Sequence, residues 1–224
     1  MENYNVKIAV TNLGAYNEGR LIFEWLTLPT NKEEIENTIK RVLGSNYEEY
    51  FITDWETDLK INIGEYTNIF ELNKILQEIE NLNIDIDVLN AVCEVNGIEL
   101  NSMDNIEQIQ DKYENLNIIY LDENMYNENE SLAYSYIESV YGDIDGLDDE
   151  TLERYFDYKG FKRDLEFEGI YDDEEIEGIM EEIEYNLNSM VSTENLKTYF
   201  DYKSFGRDLS YDYTIVDNIA ICNY

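Results

Sequence analysis

Residues 6–28 read VKIAVTNLGAYNEGRLIFEWLTL, and they decide the fold class. Val6–Val10 is a short apolar strand. Thr11–Gly19 (TNLGAYNEG) carries two glycines and reads as a turn. Arg20–Leu28 is an aromatic-rich strand, ended by Pro29, the only proline in the chain. Thr30 then offers a helix N-cap, with Glu33 three residues on as a capping-box partner. Ile35, Ile39, Val42 and Leu43 carry helical spacing behind it, and Tyr50–Trp55 (YFITDW) returns as a strand. This β-β-α-β order predicts a small sheet with one face under a helix, so the chain is of the α+β class.

Downstream the apolar period changes. Residues 66–116 are helical throughout: Ile69, Leu72, Leu76 and Ile79 form one stripe, Val88, Leu89, Val92 and Val95 a second, and Ile106, Ile109 and Tyr113 a third. From 117 the pattern is mixed. Asn117–Leu121 (NIIYL) is a strand, Leu132, Tyr136, Ile137 and Val140 suit a helix, and Tyr211–Tyr224 alternates like a strand or hairpin. Three modules follow: 1–62, a sheet plus helix; 63–116, a helical bundle; and 117–224, mixed α+β.

The last module contains a repeat. Residues 152–165 (LERYFDYKGFKRDL) and 196–209 (LKTYFDYKSFGRDL) agree at 10 of 14 positions with an offset of 44, which reads as an internal duplication. Two copies are too few for a solenoid. Between them Ile176, Ile179, Met180, Ile183 and Leu187 mark a long amphipathic helix.

Charge narrows the function. Fifteen Lys and Arg against 51 Asp and Glu give a net charge of −36. Aromatics at 13% supply a core that disordered acidic tails lack. A field of that sign repels nucleic acid and anionic membranes, so neither is an expected partner. Histidine is absent from the sequence, which removes Ser-His and Cys-His nucleophiles and imidazole zinc sites. No Gly-rich phosphate loop occurs. Cys93 and Cys222 read as buried thiols rather than a disulfide framework. The start, MENYNVKIAV, lacks a basic segment followed by a long apolar run, and no stretch has membrane-spanning length. The expectation is a soluble cytoplasmic protein with no catalytic residues, no metal and no cofactor.

Acidity is densest over residues 143–184, where 18 carboxylates face four bases, a net of −14. Asp143, Asp145 and Gly146 superficially suggest a calcium loop. Counted from Asp143, however, loop position 6 is Asp148 and position 12 is Arg154, where Gly and Glu are required. An acidic helix face is ordinarily just a solvated face. A whole-chain charge of −36 costs self-repulsion and calls for a further reason, such as salt adaptation, cations or a basic partner. At one charge per about 1.7 Å of axis, 36 charges correspond to roughly 60 Å of duplex, so an elongated row of modules could imitate DNA. The carboxylates assigned to that surface are Asp143, Asp145, Asp148, Asp149, Glu150, Asp172, Asp173, Glu174, Glu175, Glu177, Glu181, Glu182 and Glu184.

NLGAYNEG and FEWLTLP (12–29), EEYFITDWE (48–56), GEYTNIFELNKI (64–75) and YFDYKSFGRDL (199–209) occur in an order that resembles the ArdA antirestriction family over nearly the whole chain. The resemblance implies a soluble inhibitor from mobile genetic elements that imitates bent duplex DNA. It implies occupation of the DNA channel of type I restriction-modification enzymes, on the methyltransferase core and specificity subunit. It also implies an elongated row of three small modules and a homodimer. Matched by position, Ile118, Ile119, Tyr120, Tyr134 and Tyr136 are the dimer candidates. The family carries one DY-x-x-[FY]-x-RDL segment where this chain has two. Residues 196–224 fit the usual terminus, and the copy at 152–165 with its acidic helix reads as an added unit. The alternative from another class is an acidic scaffold or chaperone for a basic nucleic-acid-binding protein. A carboxylate-dependent hydrolase would need a buried carboxylate pair in a cleft.

Within the repeat, Tyr155, Phe156, Tyr158, Phe161 and their counterparts Tyr199, Phe200, Tyr202, Phe205 are expected in the core. Arg163-Asp164 and Arg207-Asp208 are expected to brace the surrounding acidic helices. The positions that differ, Gly160 against Ser204 and Lys162 against Gly206, are expected to be exposed.

Overall fold

The computed structural model describes residues 4–223, so residues 1–3 and residue 224, the end of the terminal stretch, lie outside it. Helices and two small antiparallel sheets make up an α+β chain that divides into two compact units, 1–116 and 117–224.

In the first unit, β1 (Val6–Asn12) lies between β2 (Phe23–Leu28) and β3 (Tyr50–Glu56), antiparallel to both. Ile8 pairs with Leu26 and Val10 with Ile52. All four are buried, together with Ile35 and Val42 of α2 (Lys32–Leu43). The expected turn at 11–19 holds a short helix, α1 (Leu13–Asn17). Asn12 makes it: its fully buried side chain accepts from Ala15 N at 2.8 Å and donates to Val42 O at 3.0 Å. The cap of α2 is Asn31, accepting from Glu34 N at 2.9 Å, rather than Thr30. Thr30 is occupied by Asn73, which accepts its N–H at 2.7 Å and donates to its carbonyl at 2.9 Å.

Three helices complete this unit: α3 (Ile69–Leu82), α4 (Ile86–Asn96) and α5 (Met103–Tyr113), capped by Asn68, Asp85 and Ser102. Their apolar stripes are buried, except that Tyr113 is exposed and Val95 half-buried. Hydrogen bonds fasten them to the sheet. Beside the Thr30–Asn73 pair, Ile52 N donates to Glu65 O at 2.8 Å, and the Tyr4 hydroxyl donates to Ile84 O. Cys93 is buried in α4, which pushes its thiol up to about 11, while Cys222 is only half-buried.

The second unit starts with β4 (Ile118–Tyr120) and α6 (Glu128–Tyr141). Next come α7 (Asp149–Tyr155), α8 (Tyr158–Glu168), α9 (Asp173–Met190), α10 (Thr193–Tyr199) and α11 (Tyr202–Leu209). It ends in a hairpin of β5 (Tyr213–Val216) and β6 (Ile219–Cys222), turned at Asp217 with φ 53°. The sheet order is β4-β6-β5. Leu132 of α6 joins Ile119, Tyr213 and Ala220 against the sheet, while Ala133 and Ile137 join the aromatic core of the repeat.

The copies of the repeat meet each other. Asp157 N donates to Tyr199 O at 2.7 Å and Asp201 N to Tyr155 O at 2.8 Å, closing one antiparallel bridge between Phe156 and Phe200. Those two rings are 6% and 5% exposed, and Phe161 and Phe205 are also buried, as the spacing of the rings requires. Gly160 and Gly206 correct the reading of the variable positions, for both are buried. A Cβ on Gly206 would stand 1.7 Å from the Asn129 carbonyl oxygen, because α11 presses its backbone onto the start of α6. The atoms nearest a Cβ on Gly160 belong to the Asp157 side chain rather than to backbone, and Ser204 already occupies the equivalent place beside Asp201. Gly206→Ala should therefore cost about 1–3 kcal/mol or more in denaturant unfolding, and Gly160→Ala clearly less.

Candidate functional site

The acidic surface is built most plainly on α9. Asp172 and Glu175 form a capping box: Asp172 accepts from the backbone of Glu174 at 3.0 Å and Glu175 at 2.9 Å, and Glu175 accepts from Asp172 N at 2.9 Å. Burial of Ile176, Ile183 and Leu187, with Ile179 and Met180 half-buried, fixes which face turns outward. Asp172, Asp173, Glu174, Glu175, Glu177, Glu181, Glu182 and Glu184 are all exposed on it. The first four sit at the helix N-terminus, where the macrodipole favours negative charge by about 0.3–1 kcal/mol each. Glu177 takes Lys162 Nζ at 2.6 Å. Glu181, Glu182 and Glu184 lie beyond the first turn, where the dipole gives no such return. The helix kinks at Asn186 (φ −144°, ψ 38°), after the last of them.

Among the carboxylates of 143–150, Asp143 and Asp148 serve local structure. Asp143 caps the 3-10 turn at 144–146 and accepts from Lys197 Nζ at 2.7 Å. That bond, then the Ile144 N–H, holds its carboxyl below the usual range. Asp148 caps α7 through Thr151 N at 2.9 Å and Thr151 Oγ1 at 2.8 Å, with the same effect. Asp145 accepts from Thr193 Oγ1 at 3.1 Å, and Asp149 and Glu150 stand exposed in the first turn of α7.

Asp164 and Asp208 do something the sequence did not suggest. Asp164 accepts from the Tyr199 hydroxyl at 2.8 Å, and Asp208 from the Tyr155 hydroxyl at 2.7 Å, each across the repeat. These bonds, ahead of the arginines beside them, lower both carboxyl pKa values. Arg163 and Arg207 lie against their own neighbours Asp164 (3.1 Å) and Asp208 (3.5 Å), and within each pair it is the aspartate that reaches a helix of the other copy. Arg154 also reaches Asp208, at 3.7 Å.

The five dimer candidates separate. β4 is an edge strand, with Tyr120 59% exposed and Ile118 half-buried on it, and Tyr134 is 41% exposed on α6. Ile119 is taken up by the core. Tyr136 packs among Tyr141, Phe205 and Tyr213 at 5.9–6.1 Å between ring centres, and burial pushes its phenol up to about 12.

The negative charge extends well beyond the thirteen chosen carboxylates. Residues 1–116 hold 23 carboxylates and 8 bases, net −15, and residues 117–224 hold 28 and 7, net −21. Counting charge over each unit separately would have added the first unit to the candidate surface. Bases are drawn onto nearby acids, as in Arg41 with Glu24 at 2.7 Å and Glu34 at 2.9 Å, and solvent and salt screen these exposed pairs, so they do little to offset the repulsion. Among the described residues no Asp or Glu is buried, and no group of three or more acids and thiols could hold a metal ion. Nor is any described helix long and apolar enough to cross a membrane. What this surface offers is dense, exposed, fixed negative charge, with no enclosed carboxylate pair for proton transfer.

Residues 8–177, about three quarters of the chain, match a protein family described as Antirestriction protein (ArdA). The chain belongs to the ArdA antirestriction family. No curated protein matches it. The ArdA match takes in the first copy of the repeat, at 152–165, and ends before the second, at 196–209. The matched span thus runs through the copy expected to be an added unit and leaves out the copy expected to be the family's terminus.

Proposed function

We propose that this ArdA-family protein inhibits type I restriction-modification enzymes by filling their DNA channel with an imitation of bent duplex. It would contact the methyltransferase core and specificity subunit and act without catalysis of its own. The carboxylate row of α9 supports this reading most directly. The row from Asp172 to Glu184 lies before the kink at Asn186 and extends about 18 Å at 1.5 Å per residue. A duplex of that length carries roughly 11 phosphate charges. The eight exposed carboxylates from Asp172 to Glu184 give a charge density of the same order. A channel lined with Lys and Arg for phosphates would release its own counterions to such a surface as it does to DNA. In this reading the protein works in the cytoplasm as a homodimer, with the β4 edge, Tyr120 and Tyr134 as the contact.

The test is cleavage of unmodified DNA by a type I enzyme at rising inhibitor. Inhibition should saturate near one inhibitor assembly per enzyme and be relieved by excess DNA. Loss of activity at far lower ratios, not relieved by DNA, would mean catalytic inactivation and sink the proposal.

A further inference from the structure

The backbone, hydroxyl and ring contacts between the two repeat copies each have a mirror contact 44 residues away; the Arg154–Asp208 pair at 3.7 Å, where the second copy has Thr198, does not. Asp157 N to Tyr199 O is answered by Asp201 N to Tyr155 O, and Tyr155 to Asp208 by Tyr199 to Asp164. Phe205 meets Tyr155 at 5.1 Å between ring centres, and Phe161 meets Tyr199 at 5.2 Å. The backbone follows the same rule: Phe156 and Phe200 sit at φ −79°, ψ 129° and φ −78°, ψ 128°. Asp157 and Asp201 sit at φ −79°, ψ 76° and φ −80°, ψ 76°. The residues in these contacts are identical in the two copies. The interface is therefore isologous, one patch against itself about a local two-fold, the arrangement of a symmetric homodimer.

We infer that the segment YFDYK-x-F-x-RDL is a self-recognition module, and that its fitting partner is any second copy of itself. Nothing in the mirrored contacts distinguishes a copy in the same chain from one in another molecule. The tether decides, since a short linker gives an effective concentration on the order of millimolar. This chain thus closes within itself a pairing that a one-copy chain would make between two molecules. Of the positions that differ, Gly206 seats the second copy on α6, Lys162 ties the first to Glu177 on α9, and Arg154 adds one exposed, one-sided ion pair to Asp208. The inference does not rest on DNA mimicry.

The full-length Phe156→Asp variant disables the first copy and leaves the second without its partner. A second variant deletes residues 157–200, one period of 44, and joins Phe156 to Asp201 at a junction the fold already makes twice. Its path is short, because α10 begins beside Asp145, which leads into α7. Light scattering should count twice as many chains per particle in either variant as in the full-length protein at equal concentration. Counting against the parent keeps the result separate from any dimer through β4. Adding Tyr155→Phe and Asp208→Asn to the one-copy chain should return it towards the parental count. If neither variant gains the extra association, whether it keeps the parental count or unfolds, the module is not self-recognising.

Discussion

Phe200→Ala and Phe156→Ala should each lower the stability of the 117–224 unit by about 3–5 kcal/mol. Both rings are nearly fully buried, and each is packed edge-on within its own copy, Phe156 on Phe161 and Phe200 on Phe205, at 5.5 Å between centres in both pairs. Removing either ring leaves a cavity at the bridge where the two copies exchange backbone hydrogen bonds, so neighbours cannot collapse into it without breaking those bonds. The loss is a large fraction of the roughly 5–15 kcal/mol by which domains are stable, and a unit with net charge −21 already carries self-repulsion. Denaturant unfolding gives the size of the effect. Inhibition should fall only in step with the folded fraction. A variant that remains folded yet no longer inhibits would move these rings from the core to the contact surface.

What could be read beforehand follows from where the information lies. The strands and helices were legible because apolar period is local: Val6–Val10, the stop at Pro29 and the stripe from Ile69 to Ile79 each carry their own evidence. Thr30 was misread as a cap because its competitor Asn73 comes from another helix 43 residues on. The helix at Leu13–Asn17 was hidden under glycines, and only the burial of Asn12 reveals why it forms. The repeat was plain in the sequence, but not that its copies pair, since partner choice is tertiary. Gly206 shows the same limit: a glycine that admits a neighbouring backbone looks, in sequence, like any small exposed residue. For the surface, density of charge pointed to α9 correctly as an exposed acidic face. It could not separate Asp143 and Asp148, which cap local structure, from Glu181, Glu182 and Glu184, which do not.

Neutralising the α9 face should have the largest effect on binding. Asp172→Asn, Asp173→Asn, Glu174→Gln, Glu175→Gln, Glu177→Gln, Glu181→Gln, Glu182→Gln and Glu184→Gln together remove eight charges of 36. If each carboxylate replaces a phosphate, the slope of log affinity against log salt should shrink by about 0.9 per lost contact. Affinity at low salt should fall by orders of magnitude, while Glu174→Gln alone should be almost silent. Stability is expected to hold or rise, because relief of repulsion offsets the lost first-turn dipole terms. Unchanged inhibition by the eightfold variant would place α9 outside the contact surface.

The most direct measurement is competition between this protein and duplex DNA for a type I methyltransferase core, titrated at several salt concentrations. Displacement of DNA, with an inhibitor affinity that falls steeply as salt rises, is the result expected of a duplex imitation. Binding that leaves DNA in place, or that has no salt slope, would contradict it.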